Sequence, residues 1–193
     1  MAPVDLAGMN GASQTNYFRE PAGDRDDDFA RNIGRVVLNL LALEFVLRLF
    51  LYNALSEDRQ PGHELLHFDK LQVGDWVVCN HLTNHSPLGY LIKETNKKLK
   101  DLDRPERVDM TLVAVRDALA HGRLLSMVSP QETPRLLKFS SSWKGKVQVQ
   151  MAAELTKTWL NLQMNRTFEA VKSMVSVMQD LFPSSASIEQ YTD

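Results

Sequence analysis

The residues best suited to chemistry stand together in one short run, Arg116-Asp117-Ala118-Leu119-Ala120-His121-Gly122. Asp117 and His121 are four apart, so on a helix they share a face. A carboxylate there accepts a hydrogen bond from one imidazole nitrogen and fixes the tautomer, leaving the other nitrogen free to move protons. Arg116 is adjacent around the helix and long enough to bring a guanidinium to the same point, where it holds a phosphate in bidentate fashion. Ala118, Ala120 and Gly122 are small, which lets another helix or a substrate backbone approach. An arginine, a histidine and an orienting carboxylate suffice for metal-independent cleavage of RNA, in which the 2′-hydroxyl attacks its own phosphate. The histidine moves protons and the arginine stabilises the charged transition state.

The other four histidines are less organised. His63 and His67 are four apart, as are His81 and His85, with Cys79 close by. Two ligands one helical turn apart begin a zinc site. The set is incomplete, however: no glutamate lies between either pair in the metalloprotease arrangement, and Asn80, Asn84 and Pro87 mark a loop around the second pair. Solvated or capping histidines account for them, and the expected metal and cofactor count is none. No Gly-rich phosphate loop, Gly-x-Ser-x-Gly elbow or dinucleotide fingerprint occurs. Ser140 to Ser142 read as turn residues rather than nucleophiles.

These residues need elements to carry them. Ile33, Val37, Leu40, Leu47 and Leu51 recur at helical spacing, which predicts one long helix from Phe29 to about Ala54. The acidic cluster from Asp24 to Asp28 precedes it and suits the positive end of its dipole. Glu44 falls on the same seam, either paired with Arg48 one turn on or directed into a site. Pro61-Gly62 and Gly74-Asp75 signal turns, with a short helix expected from His63 to Leu71. Ser86-Pro87 opens a helix running to about Lys100. Asp103 and Glu106 have the spacing of a capping box with Pro105 in the first turn, so the helix carrying Val108, Leu112, Val115 and Leu119 is expected to start there. It is expected to run through His121 and stop near Gly122 or a few residues later. A hairpin is expected over residues 136–150, where Leu136 to Phe139 and Val147 to Gln150 flank Ser-Ser-Trp-Lys-Gly. A last helix from Ala152 to Leu181 directs Leu155, Trp159, Leu162, Val171, Val175 and Met178 inward. The fold class expected is all-α, a bundle of four to five helices with a small β-hairpin before the last one. Residues 1–23 and 184–193 read as flexible tails of a single domain.

The 193 residues carry 22 Lys+Arg against 24 Asp+Glu, a net charge of −2. Bulk positive field is therefore excluded as a means of holding nucleic acid, and reading of DNA grooves is not expected. One cysteine excludes a disulfide framework. Met1 to Phe18 lack the basic and apolar regions of a secretory signal. Val36 to Leu55 is apolar but interrupted by Asn39, Glu44, Arg48 and Asn53, and each charge at a bilayer centre costs ~2.5–3.5 kcal/mol. A cytoplasmic protein without a membrane span is the expectation.

The run from Arg116 to Gly122 resembles the motif of the HEPN superfamily, helical domains marked by Arg, then a polar residue, then His after four to six intervening positions. In that family the motif lies on a late core helix of a four- or five-helix bundle, and many members bear an acidic residue on the first long helix, a position Glu44 matches. The resemblance covers most of the chain in architecture and about seven residues in motif. It implies a homodimer whose two motifs face each other across a cleft, and metal-independent endoribonuclease activity with Arg116 and His121 as its residues and Asp117 at the polar position. It further implies a toxin or an effector of phage defence, with an antitoxin or regulatory protein as partner. Other members of the family bind nucleotides or act as adaptors without cutting RNA.

Overall fold

A computed structural model describes residues 24–55, 68–125 and 133–183. The expected tails, and His63 and His67 with most of the short helix assigned to them, lie outside the described residues. Helix α1 spans Asp24–Leu55, α2 Leu88–Asp101, α3 Thr111–His121 and α4 Lys157–Leu181. Three strands, β1 (Arg123–Leu125), β2 (Arg135–Phe139) and β3 (Val149–Glu154), form an antiparallel sheet in the order β1-β2-β3. The chain is mostly helical, but it is not an all-α bundle with a lone hairpin. Immediately after α3, the chain adds a third strand to the expected hairpin.

The core follows from the apolar period of α1. Val36, Leu40, Leu43, Leu47, Phe50 and Leu51 are buried against Leu91, Ile92 and Leu99 of α2, Leu112 and Val115 of α3, and Leu160, Met174 and Val177 of α4. Burial of each such side chain is worth about 1.5–3 kcal/mol. Despite the length of α1, no helix among the described residues is long and apolar enough to cross a membrane.

Several features differ from the sequence reading: α1 begins at Asp24 and so takes in the acidic cluster expected before it, and two further boundaries and one buried face differ for local reasons. Asp103 does not start α3; it ends α2. Its φ of 53° is left-handed, Asp103 N–H donates to Lys100 O at 3.1 Å and Arg104 N–H to Leu99 O at 2.9 Å. That pair of bonds is a Schellman close, with Asp in the position usually held by glycine. Glu106, the other half of the expected capping box, instead accepts from Arg104 at 2.8 and 3.1 Å. α3 begins eight residues after Asp103, where Asp109 accepts from Thr111 N–H at 2.8 Å. Asn96 fixes the intervening segment to α2: its amide donates to Val108 O at 2.9 Å and its carbonyl accepts Val108 N–H at 2.8 Å.

The last helix begins at Lys157 rather than Ala152. The alternation that starts at Val147 continues into β3 as far as Glu154, paired with β2 across an irregularity at Lys138/Phe139. Thr156 then caps α4, its hydroxyl accepting from Trp159 N–H at 3.1 Å. The buried face of α4 is also turned from the one expected. Leu162 is 53% exposed, whereas Gln163 and Thr167 are buried. Thr167 satisfies its hydroxyl on the carbonyls of Gln163 and Met164, and Gln163 accepts from Arg166 at 3.0 Å, so both polar groups are tolerated inside.

The sheet lies against α3. Ala118, Leu136 and Leu155 form a small buried cluster joining the two. Leu136 and Lys138 are two apart on β2, so both face α3. Beyond Phe139, at the end of that strand, the hairpin continues to a tip at Lys144-Gly145, whose positive φ values of 50° and 74° are those a type I′ turn requires.

Candidate active site

The end of α3 and the middle of α1 enclose an open cavity of about 340 Å³, lined by Val37, Leu40, Leu41, Glu44, Arg116, Leu119, Ala120 and His121. Three of the four residues singled out from the sequence therefore meet at one place. Arg116 and His121 come from the last turns of α3, and Glu44 comes from α1 across the gap. Five aliphatic side chains make up the remaining walls.

The charged groups form a chain of alternating sign. Arg48 Nη2 lies 2.9 Å from Glu44 Oε1, and Glu44 Oε2 lies 3.9 Å from Arg116 Nη2. Arg116 Nη1 then lies 3.0 Å from Asp117 Oδ1, and Asp117 Oδ2 lies 3.0 Å from Lys138 Nζ. This sequence of contacts runs from α1 through α3 to β2, with three cations and two carboxylates. Glu44 pairs with Arg48 one turn on, and its other oxygen faces Arg116 across the gap.

Asp117 departs from its expected role. Its two oxygens engage Arg116 and Lys138, and the His121 imidazole makes no hydrogen bond among the described residues. The spacing of four that places Asp117 and His121 on one side of α3 does not decide which neighbour wins. Two cations, each at 3.0 Å, offer a carboxylate charge-assisted bonds, stronger than one to a neutral imidazole. Asp117 thus holds the guanidinium, and His121 is exposed and lines the cavity, with neither ring nitrogen engaged among the described residues.

Arg48 is the anchor behind the site. Its side chain is only 11% exposed, and it donates to Glu44, to the carbonyls of His81, Asn84 and Ser86, and to the side chain of Asn84. It fastens the loop before α2 onto α1 and fixes the near oxygen of Glu44. From the sequence Asn84 is only a loop marker, and Lys138 has no role assigned to it. For Lys138 a signal existed: its position two residues after Leu136 puts it on the face that packs toward α3.

No protein-family model, curated protein or solved structure matches the chain. Among the described residues no three His, Cys, Asp or Glu side chains converge as metal ligands. Cys79 and His85 are exposed, and His81 contributes its backbone carbonyl to Arg48.

Chemically, the arrangement offers one guanidinium fixed in direction by carboxylates on either side, one imidazole exposed at the cavity, and an aliphatic wall. The first suits a phosphodiester oxygen. The second suits proton transfer. The third suits the flat apolar surface of a base or sugar.

Proposed function

We propose that the protein is a metal-independent endoribonuclease of HEPN type, acting as a homodimer. The observation that carries this reading is the convergence of Arg116, His121 and Glu44 on one open cavity. In the reaction the ribose 2′-oxygen attacks the adjacent phosphorus, an O2′–P bond forms, and the P–O5′ bond breaks. The 2′-hydroxyl loses its proton and the departing 5′-oxygen gains one, leaving a 2′,3′-cyclic phosphate and a 5′-hydroxyl. His121 moves a proton at one of these oxygens, and Arg116 holds the non-bridging oxygens as charge builds on them. Asp117 and Glu44 act on Arg116 as positioning residues.

One imidazole per chain serves a reaction that needs both a base and an acid, and a second copy supplies the second. Leu38, Leu41 and Phe45 form an exposed apolar stripe on α1, with Leu41 shared between the stripe and the cavity. Such a stripe beside the cleft supports a symmetric contact there. A role as a toxin or phage-defence effector, regulated by an antitoxin, follows the same family reading.

The test is to incubate the protein with unstructured RNA in the presence of a chelator, beside His121→Ala and Arg116→Ala. Wild type is expected to yield 2′,3′-cyclic phosphate ends, with each variant slower by about 10²- to 10⁴-fold. Intact RNA with wild type, or equal cleavage by His121→Ala, overturns the reading. The aliphatic walls favour a second reading, a nucleotide-binding module without catalysis. In that case nucleotide binds wild type and not Arg116→Ala, and no RNA product forms.

A further inference from the structure

The sheet carries a charge that the chain as a whole does not. The described residues of β1, β2, β3 and the connecting hairpin contain Arg123, Arg135, Lys138, Lys144 and Lys146 against a single carboxylate, Glu154, in a chain of net charge −2. Lys138 is engaged with Asp117, but Arg123, Lys144 and Lys146 make no ion pair among the described residues. Two of them lie over aromatic faces instead: the Arg123 guanidinium is 5.3 Å from the Phe139 ring centre, and Lys144 Nζ is 4.5 Å from that of Trp143.

The hairpin also projects. Every residue from Ser141 to Gln150 is exposed, and Trp143 is 73% exposed. Four residues at about 3.3 Å each carry Trp143 roughly 13 Å beyond Phe139. The tip is nevertheless held in shape. Trp143 and Lys146 exchange both backbone hydrogen bonds, at 2.8 and 3.0 Å, and Ser140 N–H donates to Gln148 O at 2.8 Å while its hydroxyl accepts from Gln148 N–H at 3.0 Å. An indole and two ammonium groups are thus displayed on a hydrogen-bonded arm whose base, through Lys138 and Asp117, is tied to Arg116.

We propose that this sheet and hairpin form a binding arm for single-stranded RNA. A base stacks on Trp143, Lys144 and Lys146 hold the flanking phosphates, and Arg123, two residues beyond His121, leads the strand to the cleft. The proposal rests on the ribonuclease reading for the identity of the nucleic acid. Charge complementarity with a polyanion favours this occupant. Stacking on an exposed indole requires unpaired bases, which a duplex buries.

Binding is measured separately from cleavage with a fluorescent single-stranded 2′-O-methyl oligonucleotide, whose blocked 2′-oxygen cannot attack. The full chain is titrated as wild type, as Trp143→Ala, and as the double variant Lys144→Glu/Lys146→Glu, all at exposed positions, with circular dichroism checking that the fold is intact. Trp143→Ala is expected to weaken binding about 5- to 150-fold, the worth of one stacked base. The double variant is expected to weaken it and to flatten the dependence of log K on log salt by about 1.4. Cleavage of a dinucleoside monophosphate, too short to reach the tip, is expected to stay unchanged in both. Affinities within twofold of wild type in both variants overturn the proposal, as does equal affinity for the corresponding duplex or no oligonucleotide binding by wild type. Tight, Trp143-dependent binding without any RNA cleavage leaves the arm standing and removes the ribonuclease reading.

Discussion

Glu44 Oε2 stands 3.9 Å from Arg116 Nη2 across the gap between α1 and α3, while its other oxygen is held 2.9 Å from Arg48. One carboxylate therefore serves a rigid ion pair on its own helix and a looser one on the helix that carries the motif. The near pair is fixed in place by the loop contacts of Arg48. The far pair has room to yield when an anion arrives at Arg116. The guanidinium is thus aimed by its carboxylate neighbours without being locked to them.

Replacing Glu44 by Gln separates aiming from attraction. Loss of a part-buried charge partner is expected to lower stability by about 1–3 kcal/mol, or about 2–12 °C in Tm for a chain of this size. Removing a negative charge beside Arg116 is expected to tighten nucleoside monophosphate binding roughly 2- to 10-fold, because one repulsive term disappears. RNA cleavage is expected to fall at the same time, since Arg116 loses its direction. Thermal unfolding, titration and a cleavage time course read the three effects. Weaker nucleotide binding with unchanged cleavage defeats this account of Glu44.

Arg48→Ala tests the anchor. The substitution leaves Glu44 without its close partner and strips hydrogen bonds from the carbonyls of His81, Asn84 and Ser86. Removing one member of this part-buried pair together with its hydrogen bonds to three carbonyls is expected to cost about 3–5 kcal/mol, so a Tm lower by about 6–20 °C is expected in a melting experiment. Arg48→Lys is expected to recover little of this, because one ammonium cannot span the positions that a planar guanidinium reaches. Full recovery by lysine shows that charge alone matters there.

What the sequence made legible was local and periodic. The repeat in α1 identified the helix and put Glu44 at the edge of its buried face, and the Arg116 to His121 run was recognisable before any neighbour was known. What it hid depended on partners distant in the chain. Asp117 has Arg116 and His121 within reach by spacing, and only the packing of β2 on α3 brings Lys138 to claim its second oxygen. Asp103 serves as readily in a left-handed helix close as in a capping box, and the carbonyls of α2 decided between them. β1 has three residues, too short for any period, and exists because β2 offers it an edge. In α4, a leucine was expected where the fold buries Gln163 and Thr167, since satisfied polar groups leave no apolar signature.

Asp109 sets an acid limit on stability. Its carboxyl is held below the usual aspartate range, first because Thr111 N–H donates to it, then through the Thr111 hydroxyl and Arg166, with desolvation opposing. A carboxyl depressed in the folded state stabilises above its unfolded pKa, and that contribution is lost as pH falls through the folded one. Wild type is therefore expected to melt above Asp109→Asn near neutrality, with the gap closing below about pH 4. Melting curves taken from strongly acid to neutral solution read the gap directly. A difference that persists unchanged at the acid end assigns the effect to packing instead.

Gly122 is closely packed between the end of α3 and β2, and replacing it tests whether the site depends on that closeness. Its φ of −73° is open to any residue, so backbone conformation does not demand glycine here. Space does. A Cβ would press directly on Ala118 O and stand 2.9 Å from Leu136 Cδ1 and 3.0 Å from Leu137 O. Two of these are backbone atoms that cannot rotate away, and Gly122 N–H also donates to Ala118 O at 2.8 Å to close α3. Gly122→Ala must push β2 off the end of the helix, at a cost of about 1–3 kcal/mol or more. The displacement falls between His121 and Arg123 and moves Lys138 away from Asp117. Cleavage is therefore expected to drop further than the melting temperature alone explains, even when assayed well below Tm. Gly145→Ala is the comparison: it is strained by its φ of 74° but meets nothing within 4 Å, so it is expected to lower Tm without changing dinucleoside cleavage. Equal cleavage losses in both variants show that general destabilisation, and not the fit of β2 against α3, governs the site.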